Sequence, residues 1–312
     1  MTDPRVSRFC SQVLQLEPTP DFPELELLCD EDVQETIYER LFSDAVELPP
    51  PRRYQLRILK ALMSKIESSI VDWDRHGISD SLMSSLSLLL SKPLPSETDA
   101  AQQRCYVTYH LSLLQTETAY PNPHITILES RSLISAAGTT GLRTWEAALH
   151  LGQYLCKNPS LVENKRILEL GTGTGYLAVL CAKYLGSEHV MASDGSDEVV
   201  SKLQDSFFLN EEEAWNGGRK LDMVLGADIT YDVSVIPALV ATLQELAGLF
   251  PGIEIVIAAT ERNRATFESF LEACAKRGFA LSHASFAVPS RSEQRGPFYK
   301  DESPIHICQL KK

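Results

Sequence analysis

Residues 166–176, Arg-Ile-Leu-Glu-Leu-Gly-Thr-Gly-Thr-Gly-Tyr, constrain this chain more than any other stretch. An apolar run of strand length passes into Gly171, Gly173 and Gly175 and then into a helix-like pattern. Glycines let a backbone turn tightly and let a ligand approach it closely. A strand, a glycine turn and a helix in that order open an α/β nucleotide site. The dinucleotide fingerprint G-x-G-x-x-G needs glycine at position 176, where this chain has Tyr176. An acid, Glu169, stands two residues ahead of the first glycine. The next predicted strand ends in Asp194, and a carboxylate there can accept hydrogen bonds from both hydroxyls of a ribose. Asp194 suits any nucleotide; Glu169 and Tyr176 discriminate against a dinucleotide.

Around this segment, strands and helices alternate. Strands are expected at 124–128, 166–170, 189–193, 223–227 and 254–259, and near 280–287 and 305–310. Helices are expected at 145–155 (with Thr144 as N-cap), 175–184, 197–209, 235–249 and 264–277. Such alternation predicts a mainly parallel sheet. Gly138, Thr139, Thr140 and Gly141 suggest a turn. Before this lies a different texture. Residues 32–42, 54–73, 79–90 and 101–114 carry helical spacing of apolar residues, broken by proline clusters. The expected organisation is a helical region over 1–118, a candidate for substrate recognition, and an α/β domain over 119–312. A length of 312 residues suits two domains.

The chain has 29 Lys and Arg against 42 Asp and Glu, a net charge of −13. That balance argues against direct nucleic-acid binding or attraction to an anionic membrane, since both need basic surface. A basic protein partner or a local positive patch stays open. Seven scattered cysteines with no C-x-x-C pair suggest reduced thiols and a cytoplasmic protein. The first residues lack an apolar signal core, and no run of membrane-spanning length occurs. The histidines show no ligand spacing. Glu211–Glu213 reads as a solvated loop, so no metal site is expected.

The phrases TTGLRTWEAAL (139–149), LELGTGTGYLAVL (168–180) and VLGADITYD (224–232) carry a family resemblance. E-x-G-x-G-x-G resembles motif I of the seven-strand, class I S-adenosylmethionine-dependent methyltransferases. Asp228-Ile229-Thr230-Tyr231 resembles the D-x-x-Y motif of their protein-lysine methyltransferase branch. The chain is most similar there to the FAM86 family, whose members modify a lysine of translation elongation factor 2. The resemblance covers residues 120–312. It implies a Rossmann-like sheet of seven strands, S-adenosyl-L-methionine as cofactor, elongation factor 2 as partner and a monomer. It also implies cofactor contacts by Trp145, Glu169, Gly171, Thr172, Gly173, Gly175, Asp194 and Ala227, with Asp228 and Tyr231 as the catalytic pair. One departure stands out: only residues 210–222 remain for a strand and loop that the family fits between the helix at 197–209 and the strand at 223. Adenine contacts usually come from that region, and Trp215 is the candidate there.

The chemistry agrees with the pair. Only a neutral amine has a lone pair, so a lysine of ordinary pKa near 10.4 must lose a proton before methyl transfer. An acid at a strand's C-terminal end can orient that amine, and a tyrosine three residues on can offer a hydroxyl or a ring face. Plainer roles remain open for each residue. Asp228 can cap the following helix and Tyr231 pack at the sheet edge. Trp145 can be a core aromatic, and Glu169 can bond either loop amides or the donor's amino group. Residues 290–301 suggest a substrate-contacting hairpin with Phe298 and Tyr299 as pocket walls, or a simple loop. Three functions compete: methylation of elongation factor 2, methylation of another protein lysine or a small molecule, and a non-catalytic cofactor-binding scaffold.

Overall fold

A computed structural model describes residues 3–96, 103–114, 121–130, 140–210 and 220–312. The chain divides into two compact units. The first is Met1–His110 with Leu128–Ser132 and Arg295–Phe298; the second is Leu111–Ile127, Leu133–Gln294 and Tyr299–Lys312.

Among the described residues the first unit holds five helices: α1 (Pro4–Leu14), α2 (Leu25–Leu28), α3 (Glu31–Leu41), α4 (Arg52–Ser69) and α5 (Asp80–Ser91). Three of them start on a side-chain cap. Asp3 accepts from the Arg5 amide ahead of Pro4, Asp30 from Asp32, and Ser79 from Leu82. Apolar residues at helical spacing on α4, namely Leu59, Leu62 and Ile66, meet Phe9, Val13, Ile37, Leu41 and Leu82 in one buried cluster. Gln34 is fully buried yet satisfied. Its amide donates to the carbonyls of Leu28 (2.9 Å) and Gly77 (3.0 Å), and its oxygen accepts from the Ser79 amide (2.8 Å). Gln15 grips Phe298 at both ends, donating to its carbonyl and accepting from its amide.

One expected helix is absent. Residues 101–114 were assigned helical spacing, but Arg104–His110 forms a strand, β1, which pairs with β2 (His124–Ser130). In RCYVTYH the alternate residues Cys105, Val107 and Tyr109 are buried. A two-residue period with β-branched and aromatic side chains fits a strand.

The second unit alternates as expected: α6 (Glu146–Lys157), β3 (Arg166–Leu170), α7 (Tyr176–Tyr184), β4 (His189–Ser193), α8 (Asp197–Leu209), β5 (Met223–Ala227), α9 (Ile236–Leu249), β6 (Glu254–Thr260), α10 (Arg264–Lys276), β7 (Ala280–His283) and β8 (Ile305–Lys311). Among the described residues, six of these strands form one sheet in the order β4-β3-β5-β6-β8-β7. The first four are parallel, and β8 runs antiparallel to β6 and β7. The further strand that the resemblance implies falls in 210–222, where 211–219 lie outside the described residues, as does Trp215. Val224, Ile255 and Ile257 pack against Val240, Leu243, Phe267 and Phe270 of α9 and α10. Because β3, β4, β5 and β6 are parallel, their C-terminal ends share one edge of the sheet, and strand order reverses there between β3 and β5. Such a switch point is where open α/β sheets bind ligands.

Candidate active site

The glycine loop leaves β3 with Gly171, Gly173 and Gly175 all at positive φ. A Cβ on Gly171 would lie 2.4 Å from Ile229 Cγ2, and one on Gly173 would lie 3.1 Å from the Gly141 carbonyl oxygen. Space and conformation therefore both demand glycine at these two positions. The Thr172 amide donates to the Ser193 carbonyl (2.9 Å), fastening the loop to the end of β4. The Gly175 amide donates to the Thr172 carbonyl (3.0 Å) as α7 begins.

Asp194, at the end of β4, accepts from the Gly173 amide on Oδ2 and from the Ser196 amide on Oδ1, each at 3.0 Å. Each carboxylate oxygen keeps a further lone pair, and the side chain is partly exposed. A ribose diol needs two such acceptors beside a bare backbone loop. These residues therefore fit the nucleoside of S-adenosylmethionine.

Glu169 is buried beneath the loop and accepts from the Thr172 hydroxyl (2.6 Å). Burial pushes its pKa up to about 8 against the bonds from Thr172 and Ala178, and the Asp194 charge raises it further. Between the ordinary carboxylate pKa of about 4.3 and this value, the unfolded chain has released the proton while the folded chain holds it. Stability then falls as pH rises through that window and levels off above about 8. Glu169→Gln imitates the protonated acid. Chemical denaturation of this variant should match wild type near pH 4 and exceed it by on the order of 5 kcal/mol at pH 9. An equal gain at both pH values would show that Glu169 is ionised when folded.

Asp228 follows β5 with φ +55°, a left-handed conformation rare outside glycine. Its buried carboxylate is a hub. Oδ1 accepts from the Thr260 amide (3.0 Å) and Arg262 Nη1 (3.2 Å). Oδ2 accepts from the Ala147 amide (3.3 Å), Thr260 Oγ1 (3.1 Å) and Arg262 Nη2 (3.3 Å). Five donors use the roughly four lone-pair sites of a carboxylate. Asp228 therefore does cap a helix, but α6 rather than the helix that follows it. Thr144 was expected to be that N-cap. Instead Trp145 holds the cap position without a side-chain bond, and Thr144 Oγ1 lies 2.6 Å from Thr174 Oγ1.

Arg262, just past β6, also bonds Glu146 Oε2 through Nη2 (2.6 Å). Its guanidinium sits 5.0 Å from the Trp145 ring centroid, and that of Arg143 sits 5.2 Å away. Burial works against the Arg262 charge, but Asp228 and Glu146 outweigh it and raise its pKa. The Trp145 indole donates to the Thr140 carbonyl (3.0 Å). Ala227 ends β5 beside Ala258. Tyr231 is 63% exposed. A small pocket is lined by Tyr231 together with Thr230, Thr260, Arg262, Thr266 and Phe267.

The structure thus brings together Gly171, Thr172, Gly173, Gly175, Asp194 and Glu169 on one side of the strand ends. Ala227, Asp228, Tyr231 and Trp145 gather on the other. Phe298 and Tyr299 do not join them. Phe298 is buried under Arg8 and bound to Gln15, and the Tyr299 hydroxyl is buried against His150 Nδ1 (2.9 Å) and Gln153 (3.3 Å). They are packing residues rather than pocket walls. Gly138, Thr139 and Glu211–Glu213 lie outside the described residues. Sequence reasoning missed Glu146, Thr260 and Arg262, which carry no motif of their own. The available signal was a charged residue directly after a strand's C-terminal end.

Comparison with known proteins agrees with this geometry. The lysine methyltransferase family profile matches residues 122–277. The chain is 64% identical to the protein-lysine N-methyltransferase EFM3 of Chaetomium thermophilum, over 99% of this chain and 98% of that one. Saccharomyces cerevisiae EFM3 is 34% identical over 49% of this chain and 54% of its own length. The human protein-lysine N-methyltransferase EEF2KMT is 28% identical over 60% and 63%. A glycine loop and ribose acceptor on one side of the strand ends, a D-x-x-Y segment on the other, and a relative matched end to end lead to one conclusion: the chain belongs to the lysine methyltransferase family and is an S-adenosylmethionine-dependent protein-lysine N-methyltransferase.

Proposed function

We propose that the acceptor is a lysine of translation elongation factor 2, methylated in the cytoplasm at the strand-end cleft. The observation that carries the reading is the pairing of the D-x-x-Y segment with its small pocket beside a loop fitted to the methyl donor. The relatives' names support the choice of factor, EEF2KMT above all. Seven scattered cysteines with no C-x-x-C pair support the compartment.

The donor, when bound, supplies an electrophilic methyl on a sulfonium. Gly171, Thr172, Gly173 and Gly175 form the surface against which its amino-acid end packs. Asp194 would hold the ribose hydroxyls, Trp145 and Ala227 would complete the wall, and Glu169 would support the loop from beneath through Thr172. On the acceptor side, Asp228 fixes the loop that presents Tyr231 and anchors the start of α6. Tyr231 offers its exposed hydroxyl to the amine and its ring face to the developing methylammonium. The lysine stem lies toward Phe267. Because the methyl is already activated, alignment of the neutral amine is the protein's main task.

The test is labelling. The protein is incubated with radiolabelled S-adenosylmethionine and a cell lysate, and in parallel with purified elongation factor 2. One labelled band at the mass of the factor, and label in the purified factor, are expected. A single band elsewhere would move the assignment to another protein lysine.

A further inference from the structure

Asp228 and Glu146 are two carboxylates gathered on one guanidinium that lies over the indole of Trp145, and a seat made of two carboxylates and a ring face attracts an alkylammonium. Left open, it would take the substrate lysine in its charged form. An ammonium held by two carboxylates gives up its proton less readily, and it has no lone pair with which to attack a methyl group. The arrangement is already filled. Arg262 lies 2.6 Å from Glu146 Oε2 and 3.2 Å from Asp228 Oδ1, with its guanidinium 5.0 Å from the Trp145 ring centroid.

We propose that Arg262 is a positioning residue of methyl transfer, a resident cation that occupies the seat between Asp228, Glu146 and Trp145 and so keeps the arriving lysine as a neutral amine. The inference rests on the reading that the amine enters beside Asp228 and Tyr231. A guanidinium stays charged throughout the pH range in which enzymes work, so the seat is filled at every relevant pH. Of the three groups Asp228, Glu146 and Arg262, the two carboxylates alone carry two negative charges and the trio carries one. Arg143 also lies over the Trp145 ring (5.2 Å) but bonds neither carboxylate, so its charge is common to wild type and variants. Glu261 bonds His306 of β8 (2.7 Å), and Arg264 pairs with Glu268 along α10 (2.8 Å). Asp232 accepts from the Ser234 amide (2.8 Å).

The rival reading of the same contacts is a gate, in which the substrate lysine displaces Arg262 and takes its seat. The chemistry disfavours it, since the displaced state holds an ammonium.

The experiment is the pH profile of kcat at saturating donor and acceptor, from about pH 6 to about pH 10. The acceptor is elongation factor 2, or whichever protein takes the label in the lysate. The kcat profile reports groups in the bound complex. In Arg262→Gln the acid limb should move up by about one pH unit, making kcat about tenfold lower near pH 7 and restoring much of it near pH 10. Arg262→Lys keeps a cation and should keep the limb in its wild-type place, whatever its absolute rate. Asp228→Asn removes a negative charge and should move the limb the other way. Donor affinity, measured by titration calorimetry, checks that each variant retains its fold.

A uniform loss in Arg262→Gln at all pH values would reduce Arg262 to a structural brace and overturn the proposal. A faster rate near pH 7 would make it a gate and overturn it equally. If Asp228→Asn moves the limb and Arg262→Gln does not, the proposal alone fails. If neither moves it, the amine does not enter beside Asp228, and the reading beneath the proposal fails first.

Discussion

Asp228→Ala should lower turnover by about 100-fold or more, the scale of a lost positioning group, while leaving donor affinity largely intact. The geometry gives the reason. The substitution removes the acceptor for the Ala147 and Thr260 amides and strips Arg262 of one of its two carboxylate partners. It also places alanine at φ +55°, which aspartate tolerates better. The start of α6 and the Tyr231 loop both lose their tether. A stability loss of about 2–3 kcal/mol should accompany the kinetic defect, tempered by the partial exposure of Arg262. Asp228→Asn separates the two effects. It keeps one oxygen acceptor and a side chain suited to the left-handed backbone, but its NH2 faces donors, so it should recover only part of the stability while changing the local charge. Stopped single-turnover rates beside thermal melts decide the matter. Near-normal turnover in a folded Asp228→Ala protein would remove the residue from the acceptor side.

Gly173→Arg should abolish donor binding. Position 173 has φ +55°, and its Cβ would already lie 3.1 Å from a backbone oxygen, so any side chain strains the loop and a long one fills the cleft. The Gly173 amide also orients Asp194, so a shifted loop misplaces the ribose acceptor as well. Asp194→Ala is the graded partner. It should cost about 1.5–3 kcal/mol of donor affinity, the range for hydrogen bonds to a charged group. Isothermal titration with S-adenosylhomocysteine measures both. Wild-type affinity in either variant would place the cofactor elsewhere.

What the sequence discloses here tracks how local the cause is. The strands and helices of the second unit are legible because two- and 3.6-residue periods are written into consecutive residues. The glycine loop is legible because its φ angles select the residue type. Residues 104–110 mislead because Val107, Tyr109 and Leu111 sit within a stretch whose apolar residues also fit a helix. Their true period shows only once β2 is beside them. The same distance effect hides the Asp228 hub. Its donors stand 81 residues away at Ala147, 32 at Thr260 and 34 at Arg262. The sequence points to Asp228 as a residue that meets the amine. The structure shows that its lone pairs are taken by the protein, which shifts the weight of acceptor contact to Tyr231. Phe298 and Tyr299 were misread for the same reason: aromatic residues in a loop-like stretch look exposed until their packing partners, remote in sequence, are known.

The grip of Gln15 on Phe298 spans 283 residues, and it bears on how the protein is made. The helical unit is not a finished object when its own stretch of chain has left the ribosome. Its helices can gather early around Leu59 and Ile66, but the buried amide of Gln15 has no partner until Phe298 is synthesised. A nascent chain therefore carries a partly closed bundle through most of its translation, with the last latch supplied from the segment between β7 and β8. A cut at residue 118 would separate that latch from its socket. The N-terminal half would lose the partner of Gln15, and the C-terminal half would carry Phe298 without the unit it belongs to.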